Sequence, residues 1–483
     1  MYLAFGLSFL ASIFLAIYLS EITTLDALIS LFPVAKPAPL LPTTSVPAFW
    51  NTYGYLFNIT VGTPPQNLTV LSDWAWMSLF ARSSRCVDTV DPALCVAPGQ
   101  SYYDERLSST FSPSALPQLQ WPTNLFCPLF TVDYISDTVC INDLCTEPTT
   151  TFQASHFPFT GEWVPVQPFG GIFGMAPVLP ELNETFHPVF HQAWQSGKTN
   201  PQIGWNACKD LSSTEPCLGG DSKFVFGGSD PSLYHTTNLT WYKTITPPWL
   251  GGEMYAPISP QIYNFWSTRW TGGWIVSPPP SADPESQTEP ETETETWSPN
   301  YAIRFPPSAL IRNAGPEEWQ QRNPHAIPES DGLITPLAVL DDNSEGLGVP
   351  VSANAYNDFI RLVDARKASP ESVAALAAQM TSSPTGAHAQ DWYLVDCDAA
   401  ETLPSLVYEL DHRVNYTVRP EAFVQEIYAT GECYLNLNVW THSRTESGDA
   451  TLLSLGLGFL KSLYVILDFE TLEFGLAPLR LDV

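Results

Sequence analysis

The sequence predicts an all-β protein built from two lobes, and three features support this prediction. The chain has 483 residues, which exceeds one simple core and favours two lobes or one large two-domain fold. Hydrophobic residues make up 44% of the chain, enough for a large packed core. The 45 prolines indicate many turns and strand edges, so a β-rich fold is favoured over a helical one.

Apolar and polar residues alternate from Tyr53 onward, and Gly and Pro interrupt the alternation. The stretches "YLFNITVG" and "NLTVLSDWAW" are predicted as two strands on either side of the turn "TPPQ". "FVFGG" and "LYVILDF" predict further strands. Two helices are also predicted, "SANAYNDFIRLVDARK" after Pro350 and "SPESVAALAAQM" from Ser369.

The chain divides into five segments by composition. Residues 1–20 are almost wholly apolar and predict a secretory signal peptide, with an uncleaved membrane anchor as the alternative because this segment lacks a basic n-region. Residues 21–52 are proline-rich and are predicted as a linker or short pro-segment. An N-terminal lobe is expected over 53–235 and a C-terminal lobe over 236–483. Within the second lobe, an acidic, proline-rich insertion at about 277–300 is predicted to be disordered or a surface loop.

The charge balance excludes some partners. Twenty Lys and Arg residues stand against 50 Asp and Glu residues, for a net charge of -30. Such a surface repels nucleic acid and anionic lipid, so no nucleic-acid partner is expected. The acidity suits a medium of low pH, where many carboxylates are neutral, although solubility alone would also explain it.

Sequons and cysteines both indicate the secretory route. Asn-x-Ser/Thr sequons, the predicted N-glycosylation sites, begin at Asn58, Asn67, Asn183, Asn238 and Asn415. Eight of the nine cysteines are predicted to form disulfides, and the sequence leaves their connectivity open: Cys86, Cys95, Cys140, Cys145, Cys208, Cys217, Cys397 and Cys433. Cys127 is the expected free thiol. No spacing resembles a zinc site, so no metal and no cofactor are expected.

Several motifs together resemble the pepsin-like aspartic proteases, peptidase family A1. In chain order they are "NITVGTPPQNLTVLSD", "SSTF", "SDTVCI", "GGIFGMAP", "FVFGGSD", "LAVLDDNSEGLGVP", "VDCDAAETLPSLVYEL", "GECYL" and "LGLGFLKSLYVILDFETLEFGLAP". Each motif is weak alone, but their order and spacing match the family over nearly all of the chain after Tyr53. The resemblance implies a bilobal fold with a peptide-binding cleft between two β-rich lobes.

The resemblance also implies the catalytic residues Asp73 and Asp341. Enzymes of this family use two carboxylates about 3 Å apart that share one proton, because both cannot ionise at that distance. One carboxylate acts as a base on a water molecule, and the other polarises the scissile carbonyl. The mechanism needs neither a metal ion nor a covalent intermediate.

The residues around this pair depart from the family. There, each Asp is followed by Thr-Gly: the threonines bond to the opposite loop, and the glycines let backbone N–H groups approach the carboxylates. Here Trp74 and Ala75 follow the first Asp, and Asp342 and Asn343 follow the second. Asp342 would place a third carboxyl at the lobe interface, which should raise neighbouring pKa values or require a partner.

Two further site residues are expected from the resemblance. Ser344 fits the position of a residue that supports the carboxylate of the second lobe, whereas Trp76 stands at that position in the first lobe. The family carries a Tyr on a hairpin that covers the cleft, and no Tyr stands at that place here. Trp121 is the candidate substrate-binding residue of that hairpin, as an apolar lid.

The sequence supports more than one function. The favoured hypothesis is a secreted member of the family whose degenerate motifs leave weak or absent proteolysis, and whose cleft binds a peptide, a protein or a small molecule. The alternative is an active endopeptidase that cuts beside apolar side chains at acid pH. A third hypothesis is an accessory protein of a fungal secondary-metabolite pathway. In each case we expect a secreted monomer, extracellular or within the secretory pathway, with membrane contact only if residues 1–20 stay uncleaved.

Overall fold

The computed structural model describes residues 41–51, 54–85, 101–116, 119–121, 130–155, 169–178, 187–207, 222–245, 264–277, 302–304, 310–311, 333–334, 337–342, 348–379, 391–398, 402–439 and 452–480. Strands dominate these residues, which agrees with the expected all-β fold. The α-helices are α1 (Val189–Gln195), α2 (Ala353–Leu362), α3 (Pro370–Gln379) and α4 (Leu457–Leu460).

The strands are short and follow one another closely along the chain. Those before residue 250 are β1 (Thr44–Pro47), β2 (Phe49–Asn51), β3 (Gly54–Val61), β4 (Gln66–Asp73), β5 (Leu79–Arg82), β6 (Ser112–Pro113), β7 (Leu119–Trp121), β8 (Phe130–Ser136), β9 (Val139–Ile141), β10 (Leu144–Cys145), β11 (Thr151–Ser155), β12 (Gly171–Gly174), β13 (Gln202–Asn206), β14 (Lys223–Phe226) and β15 (Thr240–Lys243). Those after it are β16 (Ser267–Val276), β17 (Ala302–Arg304), β18 (Leu310–Ile311), β19 (Leu333–Ile334), β20 (Leu337–Leu340), β21 (Val349–Val351), β22 (Arg366–Lys367), β23 (Tyr393–Val395), β24 (Ser405–Leu410), β25 (Val414–Val418), β26 (Val424–Ile427), β27 (Glu432–Leu435), β28 (Leu437–Val439), β29 (Leu452–Leu455), β30 (Leu463–Asp468) and β31 (Glu473–Pro478).

Most of these strands belong to three large sheets, which form the pepsin-like bilobal fold. An 11-stranded sheet of the first lobe contains the path β10-β9-β3-β4-β12-β5-β11-β8-β6, with β2 paired to β3 and β7 to β8. A six-stranded sheet of the second lobe contains β25-β24-β16-β20-β29, with β17 paired to β16. A second six-stranded sheet, β1-β14-β13-β30-β31-β15, combines strands from both ends of the chain. One hydrophobic core runs through all three.

The predicted hairpin at the start of the first lobe is confirmed. Strands β3 and β4 pair antiparallel from Leu56 opposite Leu71 to Val61 opposite Gln66. Gly62 begins the turn with a φ of 83°, and a Cβ there would lie 2.7 Å from the hydroxyl oxygen of Ser108. The turn therefore requires glycine for both its backbone conformation and its close approach to a neighbouring loop.

In each lobe, a parallel strand pairs with the strand that carries a candidate catalytic residue at its end. In the first lobe, β12 lies parallel to β4, with Gly174 opposite Asp73. In the second lobe, β29 lies parallel to β20, with Leu455 opposite Leu340, the residue before Asp341. The two candidate catalytic residues thus occupy equivalent positions at the ends of apolar strands.

Both predicted helices are present, although the prediction for the first extended too far: α2 ends at Leu362, and the predicted helical residues Arg366 and Lys367 form β22. Helix α2 begins after Ser352, whose hydroxyl oxygen accepts a hydrogen bond from the Ala355 amide at 3.2 Å. Helix α3 begins at Pro370, where the absent N–H of proline leaves no unpaired donor. The strand β22 separates the two helices.

The strands β1 and β2 lie within residues 21–52, the segment predicted as a linker or pro-segment. In β1, buried and exposed residues alternate, with Val46 buried, and the strand pairs with β14. In β2, Trp50 lies opposite Tyr55 of β3. The segment was not predicted to contain strands because of its prolines, although buried and exposed residues alternate in β1.

Strands from both sides of the predicted lobe boundary at residue 235 share one sheet. In this sheet β13, which precedes the boundary, pairs with β30, which follows it, and β15 pairs with β31. The two lobes are therefore joined by backbone hydrogen bonds as well as by chain connections. The acidic insertion at about 277–300 falls almost wholly outside the described residues. Within the described part of the chain, no helix is long and apolar enough to cross a membrane.

Candidate active site

Asp73 is the last residue of β4, and its own loop holds its carboxyl group. One carboxylate oxygen, Oδ1, accepts hydrogen bonds from the backbone N–H groups of Ala75 at 2.8 Å and Trp76 at 3.1 Å. The Asp73 carbonyl accepts a further bond from the Met175 amide at 2.8 Å. Ala75 thus takes the place of the family's glycine without preventing the amide from reaching the carboxylate.

The strand β12 packs tightly beneath this loop. A Cβ on Gly174 would lie 2.2 Å from the carbonyl oxygen of Trp76 and 2.5 Å from that of Ser78. The Gly174 amide donates to the Ser78 carbonyl at 2.9 Å. Only glycine fits so close to backbone atoms, and the fit keeps the Asp73 loop in place.

Asp341 follows β20 in the second lobe, and a serine of the neighbouring strand supports it. The hydroxyl of Ser454, in β29, donates to Oδ2 of Asp341 at 2.9 Å. The Asp341 amide donates to the Leu455 carbonyl at 3.2 Å. Ser454 is 1% exposed, and Asp341 is 8% exposed, so this bond lies almost entirely out of solvent.

Asp342 reaches from the second lobe into the first. Its Oδ2 accepts a hydrogen bond from the Ser72 hydroxyl at 2.6 Å, and its Oδ1 accepts one from the Trp74 amide at 2.9 Å. Asp342 and Ser72 are both at most 1% exposed. The third carboxyl expected at the lobe interface is therefore present and has partners in the opposite lobe.

Trp74 stands where the family has a threonine, and its side chain packs into the first lobe. Its ring lies 4.9 Å from that of Trp205 at 86°, and Tyr55 packs edge-on against Trp205 at 5.3 Å. Trp74 is 1% exposed, and its indole N–H makes no hydrogen bond among the described residues. Trp74 thus gives its backbone amide, and not its side chain, to the contact between the lobes.

A second bridge between the lobes starts from residues just before β16. The indole N–H of Trp266 donates to the Met175 carbonyl at 2.8 Å. The amide of Asn264 donates to the Ala75 carbonyl at 3.0 Å, and the Trp266 carbonyl accepts from the Leu340 amide at 2.8 Å. This bridge connects the backbone beside Asp73 with the strand that precedes Asp341.

Burial and mutual repulsion govern the protonation of these carboxyls. The pKa of Asp73 is raised to about 7, mainly by burial and to a smaller extent by the charge of Asp341, while the Ala75 and Trp76 amides oppose the rise. Burial also raises the pKa of Asp342 well above its usual value, and the charges of Asp73 and Asp341 act in the same direction. Asp73 and Asp342 therefore retain protons in the acidic range.

The structure brings Asp73, Asp341 and Asp342 together, and the other predicted site residues are less completely described. The backbone of Trp121 lies in β7, opposite Phe130 of β8, so it belongs to a hairpin as expected. Ser344 lies outside the described residues. Ser72 of β4 and Ser454 of β29 were not predicted from the sequence, although each serine directly follows two apolar residues in a strand beside a carboxyl loop.

Four of the eight cysteines predicted to form disulfides do so in the described part of the chain. Cys140 bonds to Cys145, with Cα atoms 4.0 Å apart, and Cys397 bonds to Cys433, with Cα atoms 5.1 Å apart. The other predicted cysteines lie outside the described residues, as do Cys127 and Asn183: Cys86, Cys95, Cys208 and Cys217. The remaining sequon asparagines are all exposed: Asn58, Asn67, Asn238 and Asn415.

A family model described as eukaryotic aspartyl protease matches residues 54–255 and 360–479. These segments amount to more than half of the chain, which therefore belongs to the pepsin-like aspartic protease family. Asp341 and Asp342 fall between the two matched segments. The assignment of the second carboxyl loop accordingly depends on the strands that surround it.

Curated proteins of fungi resemble the chain over most of its length. "Secreted aspartic protease LUC8" of Fusarium sp is 47% identical over 90% of this chain and 91% of its own. "Secreted aspartic protease FUS4" of Gibberella moniliformis is 42% identical over 90% of this chain and 91% of its own. "Aspartic protease-like protein pynH" of Aspergillus niger is 28% identical over 88% of this chain and 90% of its own.

Proposed function

We propose that this chain is an aspartic endopeptidase that hydrolyses peptide bonds with the carboxyl pair Asp73 and Asp341. One observation carries the proposal: each carboxyl follows or ends a buried strand and accepts hydrogen bonds within its own lobe. The amides of Ala75 and Trp76 hold Asp73, and the hydroxyl of Ser454 holds Asp341. Both carboxyls thus keep defined orientations although the Thr-Gly residues of the family are absent.

The two carboxyls divide the chemistry between them. Because its pKa is raised to about 7, Asp73 holds a proton in the acidic range and donates it to the oxygen of the scissile carbonyl. Asp341 removes a proton from a water molecule, whose oxygen forms a bond to the carbonyl carbon. The proton on Asp341 then passes to the amide nitrogen as the C–N bond breaks, and a hydroxyl of the intermediate returns a proton to Asp73.

A second candidate function is favoured by Trp74. Its side chain packs on Trp205 and makes none of the hydrogen bonds between lobes that the family's first threonine makes. An enzyme loses about two orders of magnitude in rate when a catalytic group is misplaced by about 1 Å. Under this alternative, the cleft binds a peptide or protein with weak or absent cleavage. The accessory role in a metabolite pathway stays a prediction from the sequence.

Secretion is part of the proposal. The apolar residues 1–20, the exposed sequons and two disulfides of the described part of the chain all suit an oxidising secretory route. The two most similar relatives named above are both called secreted. We therefore expect the protein in the culture medium, acting on peptide or protein substrates.

The test uses the secreted full chain and two neutral, nearly isosteric variants, Asp73→Asn and Asp341→Asn. Cleavage of an unfolded protein substrate is followed from about pH 2 to about pH 7. Asp364→Asn is the matched control, since it removes an exposed carboxyl that lies outside both carboxyl loops. Circular dichroism shows whether each variant is folded.

The expected result is cleavage by the parent and by Asp364→Asn, loss of at least about 1,000-fold in both dyad variants, and inhibition by a pepstatin-type compound. Equal cleavage by the parent and a dyad variant would indicate a contaminating protease and refute the proposal. A folded parent that cuts nothing would favour the second candidate.

A further inference from the structure

A third carboxyl, that of Asp342, accepts hydrogen bonds from the residues on both sides of Asp73, from a side-chain hydroxyl on one side and a backbone amide on the other. We propose that Asp342 is a positioning residue that acts with Ser72 to hold the carboxyl loop of the first lobe against that of the second. This inference rests on the proposed function, because it assigns how the pair Asp73 and Asp341 keeps its geometry without the threonines of the family.

The contacts of Asp342 bracket Asp73 on both sides. Its Oδ2 lies 2.6 Å from the hydroxyl oxygen of Ser72, the residue before Asp73, and its Oδ1 lies 2.9 Å from the amide nitrogen of Trp74, the residue after it. Asp342 itself directly follows Asp341. One side chain therefore connects the backbone next to each catalytic residue, across a sequence separation of 270 residues.

The site is shaped for a carboxyl group with two oxygens. A threonine hydroxyl has one oxygen, whereas a carboxyl contacts two separate donors in one plane. The Ser72 hydroxyl is wholly buried and needs such a partner, because an unpaired buried hydroxyl is costly. Ser72 and Asp342 thus form a matched pair: either residue without the other leaves a buried polar atom without its bond.

The same contacts argue against Asp342 as a third reacting acid. Both of its oxygens are engaged by residues of the first lobe, and it is 1% exposed, whereas Asp73 is 7% and Asp341 is 8% exposed. A general acid or base must reach the substrate or the attacking water. Asp342 is more deeply buried than the pair and has no oxygen left over for that contact.

The bonds of Asp342 survive its titration. Among the described residues, the ionisable groups that face it are Asp73 and Asp341. As a carboxylate, Asp342 accepts from both donors. As a neutral acid, it still accepts from the Trp74 amide and can donate its own proton to the Ser72 hydroxyl oxygen. An asparagine reproduces the neutral pattern, so Asp342→Asn is the conservative variant.

The experiment measures kcat and KM at acid pH for the full chain and for Asp342→Asn, Asp342→Leu, Ser72→Ala and the double variant Ser72→Ala/Asp342→Leu. Leucine keeps the branching of aspartate at Cγ, although it is larger, and it breaks both bonds. We expect Asp342→Leu to lower kcat about 100-fold, Ser72→Ala to lower it about tenfold, and KM to change less than about threefold. Asp342→Asn should stay within about threefold of the parent, and the double variant should be no worse than Asp342→Leu.

Three kinetic results would overturn the inference. Parental kcat in a folded Asp342→Leu variant would show that the bonds do not position the pair. Equal losses in Asp342→Asn and Asp342→Leu would show that ionisation of Asp342, and not its hydrogen bonding, is what the reaction needs. A rise in KM at constant kcat would likewise assign Asp342 to substrate binding.

Melting temperatures separate failure of this inference from failure of the proposed function. The single variants Ser72→Ala and Asp342→Leu should each lower Tm, and the double variant should fall short of their sum by about 2 °C, because both remove one shared bond. Additive shifts would overturn the bond between the lobes even in an active enzyme. Non-additive shifts in a parent without peptidase activity would keep that bond and overturn the proposed function, and with it the positioning role.

Discussion

Replacing Asp73 with asparagine should flatten the pH dependence of stability. Asp73 has a pKa of about 7 in the folded protein, whereas the ordinary pKa of an aspartate is 3.8, because the folded protein buries its carboxyl beside Asp341. Between these pH values the folded chain binds a proton that the unfolded chain releases. Stability therefore falls as the pH rises from about 4 to about 7.

The magnitude follows from the size of the pKa shift. Each pKa unit corresponds to about 1.4 kcal/mol, so a shift of about three units amounts to about 4 kcal/mol. Asp73→Asn keeps an oxygen for the Ala75 and Trp76 amides but carries no charge. At pH 7.5 the variant should be more stable than the parent by about 4 kcal/mol, and below about pH 4 the two should be nearly equal.

Thermal unfolding followed by circular dichroism from about pH 3.5 to about pH 7.5 tests this prediction. An unfolding entropy of about 2.1 cal/mol/K per residue converts 4 kcal/mol into a Tm difference of about 4 °C for a chain of this size. Asp364→Asn is the control, because it removes the same formal charge from an exposed position. A Tm difference between parent and Asp73→Asn that stays constant with pH would refute the reasoning.

Three further substitutions test other contacts of the site. Ser454→Ala should lower kcat about tenfold, since Asp341 loses a buried hydrogen-bond donor, whereas Ser454→Thr should retain activity. Steady-state kinetics at acid pH compares the two variants, and equal rates would contradict the role of Ser454 in supporting Asp341. Gly174→Ala should lower the free energy of unfolding by about 3 kcal/mol, because its Cβ would lie 2.2 Å from a backbone oxygen, and an unchanged denaturation midpoint in urea would disprove the close approach. Trp266→Phe should lower that free energy by about 1 kcal/mol through loss of the bond to the Met175 carbonyl, and urea denaturation measures this loss as well.

Local patterns were sufficient for much of the fold. Two-residue alternation around a Gly-Thr-Pro-Pro turn predicted the hairpin of β3 and β4, and a capping serine, Ser369, before an apolar face predicted α3. The order of motifs predicted the family. It also implied that Asp73 and Asp341 are the candidate catalytic residues, because each stands in a motif that resembles a catalytic loop of the family.

The sequence by itself thus determined the fold class and the family, and it identified Asp73 and Asp341 as the candidate catalytic residues. Tertiary structure alone decided what replaces the missing Thr-Gly residues. Ser72 and Asp342 meet across 270 positions, and Trp74 turns onto an aromatic residue of a distant strand. Such contacts depend on strand register and on how two lobes pack, and neither leaves a periodic signal in the residues that take part.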